Sequence, residues 1–443
     1  MKALHMNKLG PAVALMAVAA LAGCGGGGAQ GDAKQGTAPV QKTETAKPPE
    51  PVKVTMYNHF NNISDDRLQQ FIIEPLKQKL PHVTFEVVKH DKGTTIEELV
   101  AAKSFTDFYY GSNVGFPTYM NLQLQQDMND VIKKNGLDLS RFDAPYVDAI
   151  KSFGEKGEMY GVPFSANMGV MLYNKAIFDK FAVPYPKDGM TWDEVIELGK
   201  KVTRPDGGVN YIGFDPGPIA NVASSLSLPY ADVKTGKALI NNNESWRKIY
   251  DMFKAAYEIP GFVNAGKYDY GANGFFKDKN VAMLPVWALQ VVNNKAELAK
   301  MEWDMVSLPN FKDQLGKGRS VDIHMLAISN VSKNRDVGVE VLKVITSDEV
   351  QKMMSEFGTP SVLKNEDIKK AYGSKLPEFQ GKNVQAIFKT KPVQPAITKY
   401  DGTVGFYVEA ARKDIATGTM DVNTALRTVQ EKSDAKLAEL QGK

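Results

Sequence analysis

The segment VKVTMYN (Val52–Asn58) alternates with the period of two that is typical of a β-strand, and a similar pattern returns twice downstream. It recurs in VTFEVVK (Val83–Lys89) and in TDFYYG (Thr106–Gly111). A helical segment, TTIEELVAAK (Thr94–Lys103), separates the last two. Apolar residues recur at helical spacing between the first two strands: Leu68, Phe71, Ile72, Leu76 and Leu80. This alternation of strands and helices predicts parallel pairing with right-handed crossovers, and hence a doubly wound α/β sheet.

The ends of these strands are the predicted ligand-facing positions. In a doubly wound sheet, ligands bind beyond the carboxyl ends of the strands. The loops Asn58–Asn61 and Tyr109–Gly111 therefore come under consideration first. In the helix between the first two strands, Pro75 predicts a kink, because proline lacks the N–H that a helix interior uses.

Further α/β segments follow for the rest of the chain. Thr191 and Glu194 have the spacing of a capping box at the start of a helix. Later segments alternate between helical and strand patterns, with helices at 244–256 and 335–346 and strands at 281–286 and 324–329. No internal repeat is visible, which argues against a solenoid.

Composition limits the function classes. The chain has 443 residues, which suits two domains rather than one core. Lys and Arg number 54 against 51 Asp and Glu, so the formal net charge is +3 and no broad basic footprint for nucleic acid is present. The single cysteine excludes an intramolecular disulfide and a cysteine-cluster zinc site.

The N-terminus has the features of a bacterial lipoprotein signal. A cationic head is followed by the 13-residue apolar stretch PAVALMAVAALAG, which is too short to span a bilayer. Leu21-Ala22-Gly23-Cys24 resembles the lipobox, in which the cysteine is lipidated and becomes the first residue. We predict a signal peptide at residues 1–23 and lipidation at Cys24. The alternatives are an ordinary secretory peptide with a chance cysteine, and a start at Met6 rather than Met1.

Residues 24–51 are predicted to form a lipid-anchored, disordered linker. The stretch lacks aromatic residues and has almost no large aliphatic ones, so it cannot bury enough surface to become ordered. Four glycines follow Cys24, and prolines stiffen the end of the linker near Pro51. We expect it to tether a folded domain at the extracytoplasmic face of the cell membrane.

Beyond the linker the sequence resembles the family 1 extracellular solute-binding proteins of ABC importers. The matching pieces run in the family's order and are Tyr160-Gly161-Val162-Pro163, Leu172-Tyr173-Asn174-Lys175, Phe178 and Thr191-Trp192-Asp193-Glu194. Two further blocks, GFFKDKNVAMLPVWALQ and SLPNFKDQLGKGRSVDIHMLAISNVSKNRDVGVEVLKVITSDEVQ, are also similar to the family.

The resemblance implies two α/β lobes of the type II periplasmic-binding-protein kind, joined by three chain crossings. These are expected near Ser165, Gly318 and Pro360. Lobe 1 would then comprise residues 52–165 and 319–360, and lobe 2 residues 166–318 and 361–443. Such lobes close on a ligand between them, because only the closed form contacts it from both sides.

Sugar sites need flat aromatic rings for stacking and amides or carboxylates for hydrogen bonds to hydroxyls. Trp287 follows a predicted strand at a position where the family often has a tryptophan, and it is the best stacking candidate, with a core tryptophan as the alternative. Asp322 and His324 share one strand face and could bind hydroxyls or form a local ion pair. The full set of predicted ligand-binding residues is Asn58, His59, Asn61, Tyr109, Tyr110, Ser165, Asn167, Asp215, Trp287, Asp322 and His324.

Catalysis is not expected. The chain has no G-x-S-x-G, H-E-x-x-H or P-loop motif, and its five histidines show no metal-ligand spacing, so neither a metal nor a cofactor is predicted. We expect a monomeric lipoprotein that binds a solute, most simply an oligosaccharide, and passes it to ABC permease subunits. The alternatives are a receptor for a uronate, polyamine or peptide, and a surface glycan-binding or sensor lipoprotein without a transporter.

Overall fold

The computed structural model describes residues 49–442. The predicted signal peptide, the lipidation site Cys24 and nearly all of the predicted linker lie outside the described residues. Twelve strands occur within the described range: β1 Val52–Asn58, β2 Val83–Lys89, β3 Phe108–Ser112, β4 Val162–Asn167, β5 Gly169–Asn174, β6 Arg204–Asp206, β7 Val209–Tyr211, β8 Met283–Trp287, β9 Trp303–Ser307, β10 Lys317–Ser320, β11 Asp322–Ile328 and β12 Lys391–Val393.

Seventeen α-helices accompany these strands over the same residues. They are α1 Asp65–Leu68, α2 Glu74–Lys79, α3 Ile96–Ala101, α4 Phe116–Asn121, α5 Asn129–Lys134, α6 Ala144–Lys151, α7 Lys175–Lys180, α8 Trp192–Lys200, α9 Ile219–Ser224, α10 Glu244–Tyr257, α11 Ala288–Asn293, α12 Lys295–Leu298, α13 Arg335–Ile345, α14 Asp348–Glu356, α15 Glu366–Lys370, α16 Asp401–Ala416 and α17 Val422–Gln441.

Two separate hydrophobic cores divide the folded part into two lobes. Lobe 1 has a core drawn from residues 54–166 and 321–368, and lobe 2 one drawn from 170–311 and 372–437. The chain therefore crosses between the lobes three times. The first two crossings lie between residues 166 and 170 and between residues 311 and 321.

The third crossing comes later than predicted. Val362 and Leu363 belong to the lobe 1 core, because the Asp143 N–H donates to the Val362 carbonyl at 3.0 Å and Leu363 forms a β-bridge with Phe142. The crossing thus follows Ile368 rather than Pro360, and the predicted boundary at 360/361 is corrected accordingly.

The central sheet of lobe 1 has the strand order β2-β1-β3-β11-β4. Strand β1 pairs in parallel with β2 and β3, which confirms the predicted parallel pairing, and β11 runs antiparallel to β3 and β4. The first predicted helix is interrupted by a π-helical turn at Gln69–Ile73, just before Pro75. The wider turn is a local response to proline, whose ring crowds the carbonyl four residues earlier.

The sheet of lobe 2 has the order β8-β5-β9. Strand β5 is antiparallel to both neighbours, so β8 and β9 run in the same direction on either side of it, joined through α11 and α12. The capping box at the start of α8 is present, since Thr191 and Glu194 bond reciprocally to each other's backbone N–H. These elements place the ends of β4, β8 and β11 together at the junction of the lobes.

Candidate ligand-binding cleft

Two cavities lie between the lobes, and both are lined by Trp287. Cavity A has a volume of about 560 Å³ and is lined by Val114 and Asp322 from lobe 1, and by Pro218, Leu228, Tyr230, Asp269, Asp401, Glu409 and Arg412 from lobe 2. Cavity B has a volume of about 650 Å³ and is lined by Asn61, Asn62, Asp66, Arg67, Gln70, Asn167, His324, Gln290, Asn293, Asn294 and Lys295. Residues from both lobes line each cavity.

Trp287 lies where the two cavities meet. It is the last residue of β8 and is paired with Gly169, the first residue of β5. The Arg319 guanidinium lies over the indole ring, 4.5 Å from its centroid, so one face of the ring is covered by a cation. A side chain at position 169 would meet Leu308 at 2.9 Å and Arg319 at 3.2 Å, so glycine allows this close packing. The sequence-based stacking candidate thus lines the cleft in a fixed position.

Arg319 is a buried cation with few partners. It is 3% exposed, and its Nε and Nη1 have no hydrogen-bond acceptor in the described part of the chain. Burial lowers the pKa of Arg319 to about 9, while the charge of nearby Asp322 opposes that shift. The guanidinium remains charged at neutral pH and relies on the Trp287 ring for part of its stabilisation.

Asn167 and Asp322 form a polar pair at the first crossing. They face each other across β4 and β11, and Asn167 Nδ2 donates to Asp322 Oδ2 at 2.8 Å. The backbone N–H of Leu289 donates to Asn167 Oδ1 at 3.2 Å, which fixes the orientation of the amide. Asp322 Oδ1 has no donor among the described residues, so this carboxylate can accept a hydrogen bond in cavity A.

His324 shares a strand face with Asp322, as predicted, but its hydrogen-bond partner is Tyr110 rather than the carboxylate. The Tyr110 hydroxyl lies 3.3 Å from His324 Nδ1, and His324 is paired with Ser165 across the sheet. Burial lowers the pKa of His324; the charge of Asp322 opposes this shift, and that of Arg67 adds to it. Tyr110, Ser165 and His324 surround a small cavity of about 20 Å³ beside cavity B.

Arg67 is a cleft residue that the sequence-based predictions missed. It lines cavity B and the small cavity beside it, and its guanidinium has no hydrogen-bond or ion-pair partner within residues 49–442. Burial lowers the pKa of Arg67, and charge interactions with Tyr110, Asp66 and Tyr372 oppose the shift. A cation in the first turn of a helix is unfavourable beside the positive end of the helix dipole, and that position was the available signal.

The lobe 2 side of cavity A was also missed. Arg412, 2% exposed, lies 2.9 Å from Asp269 and forms a second ion pair with Glu409. Glu409 also accepts a hydrogen bond from the backbone N–H of Ile219 at 3.0 Å, and this bond connects α16 to α9. Ile219 and Glu409 are 190 positions apart, so no local pattern indicates that they meet.

Four of the predicted contact residues line none of the three cavities, because their polar groups are buried and bonded within the protein: Asn58, His59, Tyr109 and Asp215. Asn58 bonds reciprocally with the backbone of Ile63, and His59 Nδ1 lies 2.7 Å from the Tyr109 hydroxyl. Burial lowers the pKa of His59 to about 4, and the neighbouring charge of His90 adds to the shift.

The Asp215 carboxylate is a structural acceptor in lobe 2. It receives three backbone N–H groups, from Gly217 at 2.8 Å, Tyr270 at 2.7 Å and Gly271 at 2.8 Å. Burial raises the pKa of Asp215, whereas these three hydrogen bonds act to lower it. The Asp215 carboxylate thus joins its own loop to the loop at residues 270–271.

Asn61 is exposed and lines cavity B. Its side chain bonds both backbone groups of His90, at 3.0 and 3.1 Å, and so anchors the loop after β1. Phe60 and Asn61 both have positive φ values, 49° and 51°, in the region that glycine prefers. The Phe60 ring is 65% exposed and lies 4.1 Å from the His59 ring, so this loop projects an aromatic side chain beside the cleft.

The site contains carboxylates, amides and aromatic rings but no metal-binding cluster of three or more His, Cys, Asp or Glu side chains in the part of the chain that is described. No helix among residues 49–442 has the length and apolarity needed to cross a bilayer. Seven predicted residues do meet at the junction of the lobes: Asn61, Tyr110, Ser165, Asn167, Trp287, Asp322 and His324.

Two α/β lobes joined by three crossings around a polar and aromatic cleft define a solute-binding protein. The chain belongs to the bacterial extracellular solute-binding protein family, whose model matches residues 72–375. This confirms the resemblance noted in the sequence.

Individual relatives agree with this assignment. The arabinooligosaccharide-binding protein of Halalkalibacterium halodurans is 27% identical over 160 residues, which are 33% of this chain and 34% of that protein. The match thus spans about a third of that relative's length. The ABC substrate-binding protein of Listeria monocytogenes, solved with cycloalternan, superposes with a TM-score of 0.69 at 18% identity, covering 89% of this chain and 100% of that one.

The cyclic α-maltosyl-1,6-maltose-binding protein of Arthrobacter globiformis gives a TM-score of 0.65 at 16% identity, covering 88% of this chain and 100% of that one. At these identities the two structural likenesses show the fold, which is the predicted two-lobed α/β fold.

Proposed function

We propose that the cleft binds an oligosaccharide and that the protein delivers it to an ABC permease without chemical change. The observation that carries the proposal is the position of Trp287, an aromatic surface between two cavities with hydrogen-bonding walls. Indole rings stack on the apolar faces of sugars, and amides and carboxylates bond their hydroxyl edges. Of the relatives described above, one is named for arabinooligosaccharides, one was solved with cycloalternan and one is named for cyclic α-maltosyl-1,6-maltose. These saccharides support the same ligand class.

Closure of the two lobes is the proposed mechanism. A ligand in either cavity would contact both lobes, so it would favour the closed arrangement by its additional contacts there. The permease would then distinguish loaded from empty protein by the relative position of the two lobes. We expect the folded domain to act as a monomer.

We further propose that a lipid on Cys24 holds the receptor at the extracytoplasmic face of the membrane. The lipobox-like Leu21-Ala22-Gly23-Cys24 and the glycine-rich tract after it support this proposal. Replacing Cys24 with Ser should release the protein from the membrane fraction and leave ligand affinity unchanged. Retention of the variant in that fraction would argue against lipidation.

A thermal-shift screen of a soluble fragment, residues 32–443, against plant and bacterial oligosaccharides tests the ligand class. A ligand at 100 times its dissociation constant adds about 2.7 kcal/mol to the free energy of unfolding, which raises Tm measurably. If no saccharide raises Tm while a polyamine or peptide does, the carbohydrate proposal fails. Recovery of the bound saccharide intact after long incubation is expected, and its cleavage would indicate an enzyme.

A further inference from the structure

The two cavities beside Trp287 differ in charge. Cavity A contains four carboxylates, those of Asp269, Asp322, Asp401 and Glu409, against the single guanidinium of Arg412. Cavity B contains two cations, Arg67 and Lys295, against the single carboxylate of Asp66. An anionic group in the cleft would therefore be repelled from cavity A and attracted to cavity B.

Arg67 is the group in cavity B that needs a partner. Asp66, its nearest acidic neighbour in sequence, accepts a hydrogen bond from Ser64; the charge of Asp66 acts on Arg67, but the two side chains form no ion pair within residues 49–442. A partly buried guanidinium without an acceptor carries a desolvation cost, which an ionised ligand group would offset. The neighbouring His324 is held toward its neutral form by burial, so it does not compete for an anion.

The other polar groups of cavity B suit the rest of a sugar unit. Asn62, Gln70, Gln290 and Asn293 supply amide donors and acceptors around the guanidinium. Amides bond hydroxyl groups in both directions, whereas the planar guanidinium matches the two oxygens of a carboxylate. The combination fits a sugar that carries one carboxylate.

We propose that cavity B binds the carboxylate-bearing unit of an acidic oligosaccharide through Arg67, and that neutral units extend past Trp287 into cavity A. The inference rests on the proposed function and specifies its ligand class. It makes the ligand asymmetric: a single uronate at one end is favoured over a neutral chain, and also over a chain with a carboxylate on every unit.

The test measures dissociation constants by calorimetry on residues 32–443 for sets of matched saccharides. Suitable sets are xylotriose with aldotriouronic acid, which has one glucuronosyl unit on xylobiose; cellobiose with cellobiouronic acid; and galactotriose with trigalacturonate. The variants are Arg67→Gln, which removes the charge, and Arg67→Lys, which keeps it without the bidentate geometry. Lys133→Gln, an exposed lysine of α5 that lines neither cavity, is the charge-matched control.

We expect at least one single-uronate saccharide to bind more tightly than its neutral partner and than trigalacturonate. Arg67→Gln should weaken that saccharide about tenfold or more, because a charge-assisted hydrogen bond is lost, and change the neutral partner's affinity far less. Arg67→Lys should recover part of the loss, and Lys133→Gln should have no effect.

If neutral saccharides bind as tightly as acidic ones and Arg67→Gln affects both alike, the anion site is refuted while the proposed function stands. If no saccharide binds and another solute does, the proposed function fails and the anion site fails with it. A variant that has lost its fold is recognised by circular dichroism, and the comparison between acidic and neutral partners in the wild-type protein then decides.

Discussion

Replacing Trp287 with Ala should separate ligand binding from folding. The indole is partly buried, with one face against Arg319, so ligand covers only the part that remains open to the cleft. If about 80 Å² of ring is covered, at about 25 cal/mol per Å² the lost burial is about 2 kcal/mol, or about a 30-fold weaker dissociation constant. Trp287→Phe keeps a stacking surface and should lose only a few-fold.

The matched control for this change is Trp246→Ala. Trp246 lies in α10, is fully buried in the lobe 2 core and lines neither cavity. Its removal should lower the free energy of unfolding by about 3–5 kcal/mol, as for other large core residues, without altering affinity in the fraction that remains folded. Trp287→Ala should cost much less stability, because the side chain is already partly exposed.

Calorimetry with the tightest saccharide from the screen and urea unfolding of the same samples check both quantities. The reasoning is refuted if Trp287→Ala leaves the dissociation constant unchanged. It is also refuted if the variant loses as much unfolding free energy as Trp246→Ala, since Trp287 would then be a core residue.

Three further changes test the roles assigned to buried polar groups. Arg319→Met should leave the free energy of unfolding unchanged or raise it by about 1–2 kcal/mol, because a buried cation with unpaired donors is removed. The same change should weaken ligand binding, because Trp287 is then held less firmly. Urea unfolding measures the first effect and calorimetry the second. Asp215→Asn should lower the free energy of unfolding by about 1–3 kcal/mol, since its amide cannot accept all three N–H groups, and leave affinity unchanged. His59 has a folded-state pKa of about 4, below its unfolded value, so its contribution to stability is present above pH 6.5 and is lost as the pH falls toward 4. The free energy of unfolding should fall by about 1.5 kcal/mol between pH 6.5 and pH 5. Urea unfolding across that range should show this slope in the wild type and a flatter one in His59→Gln; equal slopes would contradict the assignment.

The elements that could be predicted from the sequence are those encoded locally. Strands β1 and β2 have the predicted bounds, and the capping box at Thr191 forms as expected, because alternation and capping depend on residues a few positions apart. The third crossing was placed too early for the opposite reason. The attachment of Val362 to lobe 1 depends on a hydrogen bond from Asp143, more than 200 residues earlier.

The candidate site was predicted only in part. Trp287 was selected because it follows a predicted strand, and it lies in the cleft together with the predicted Asn167 and Asp322. The same logic selected His59 and Tyr109, whose polar groups satisfy each other below the surface. Proximity to a strand end does not say which way a side chain points or whether a neighbour already satisfies it.

Short-range patterns were enough to predict the first three strands and several helices, the two-lobed family resemblance and the lipoprotein-like N-terminus. Three features became visible only in the fold: Arg67 has no partner among residues 49–442, Arg319 covers Trp287, and Asp269, Asp322 and two carboxylates of α16 form an acidic wall of cavity A. Those features depend on which distant side chains meet and which remain unpaired. Long-range packing decides that pairing, and the chemistry of the cleft follows from it.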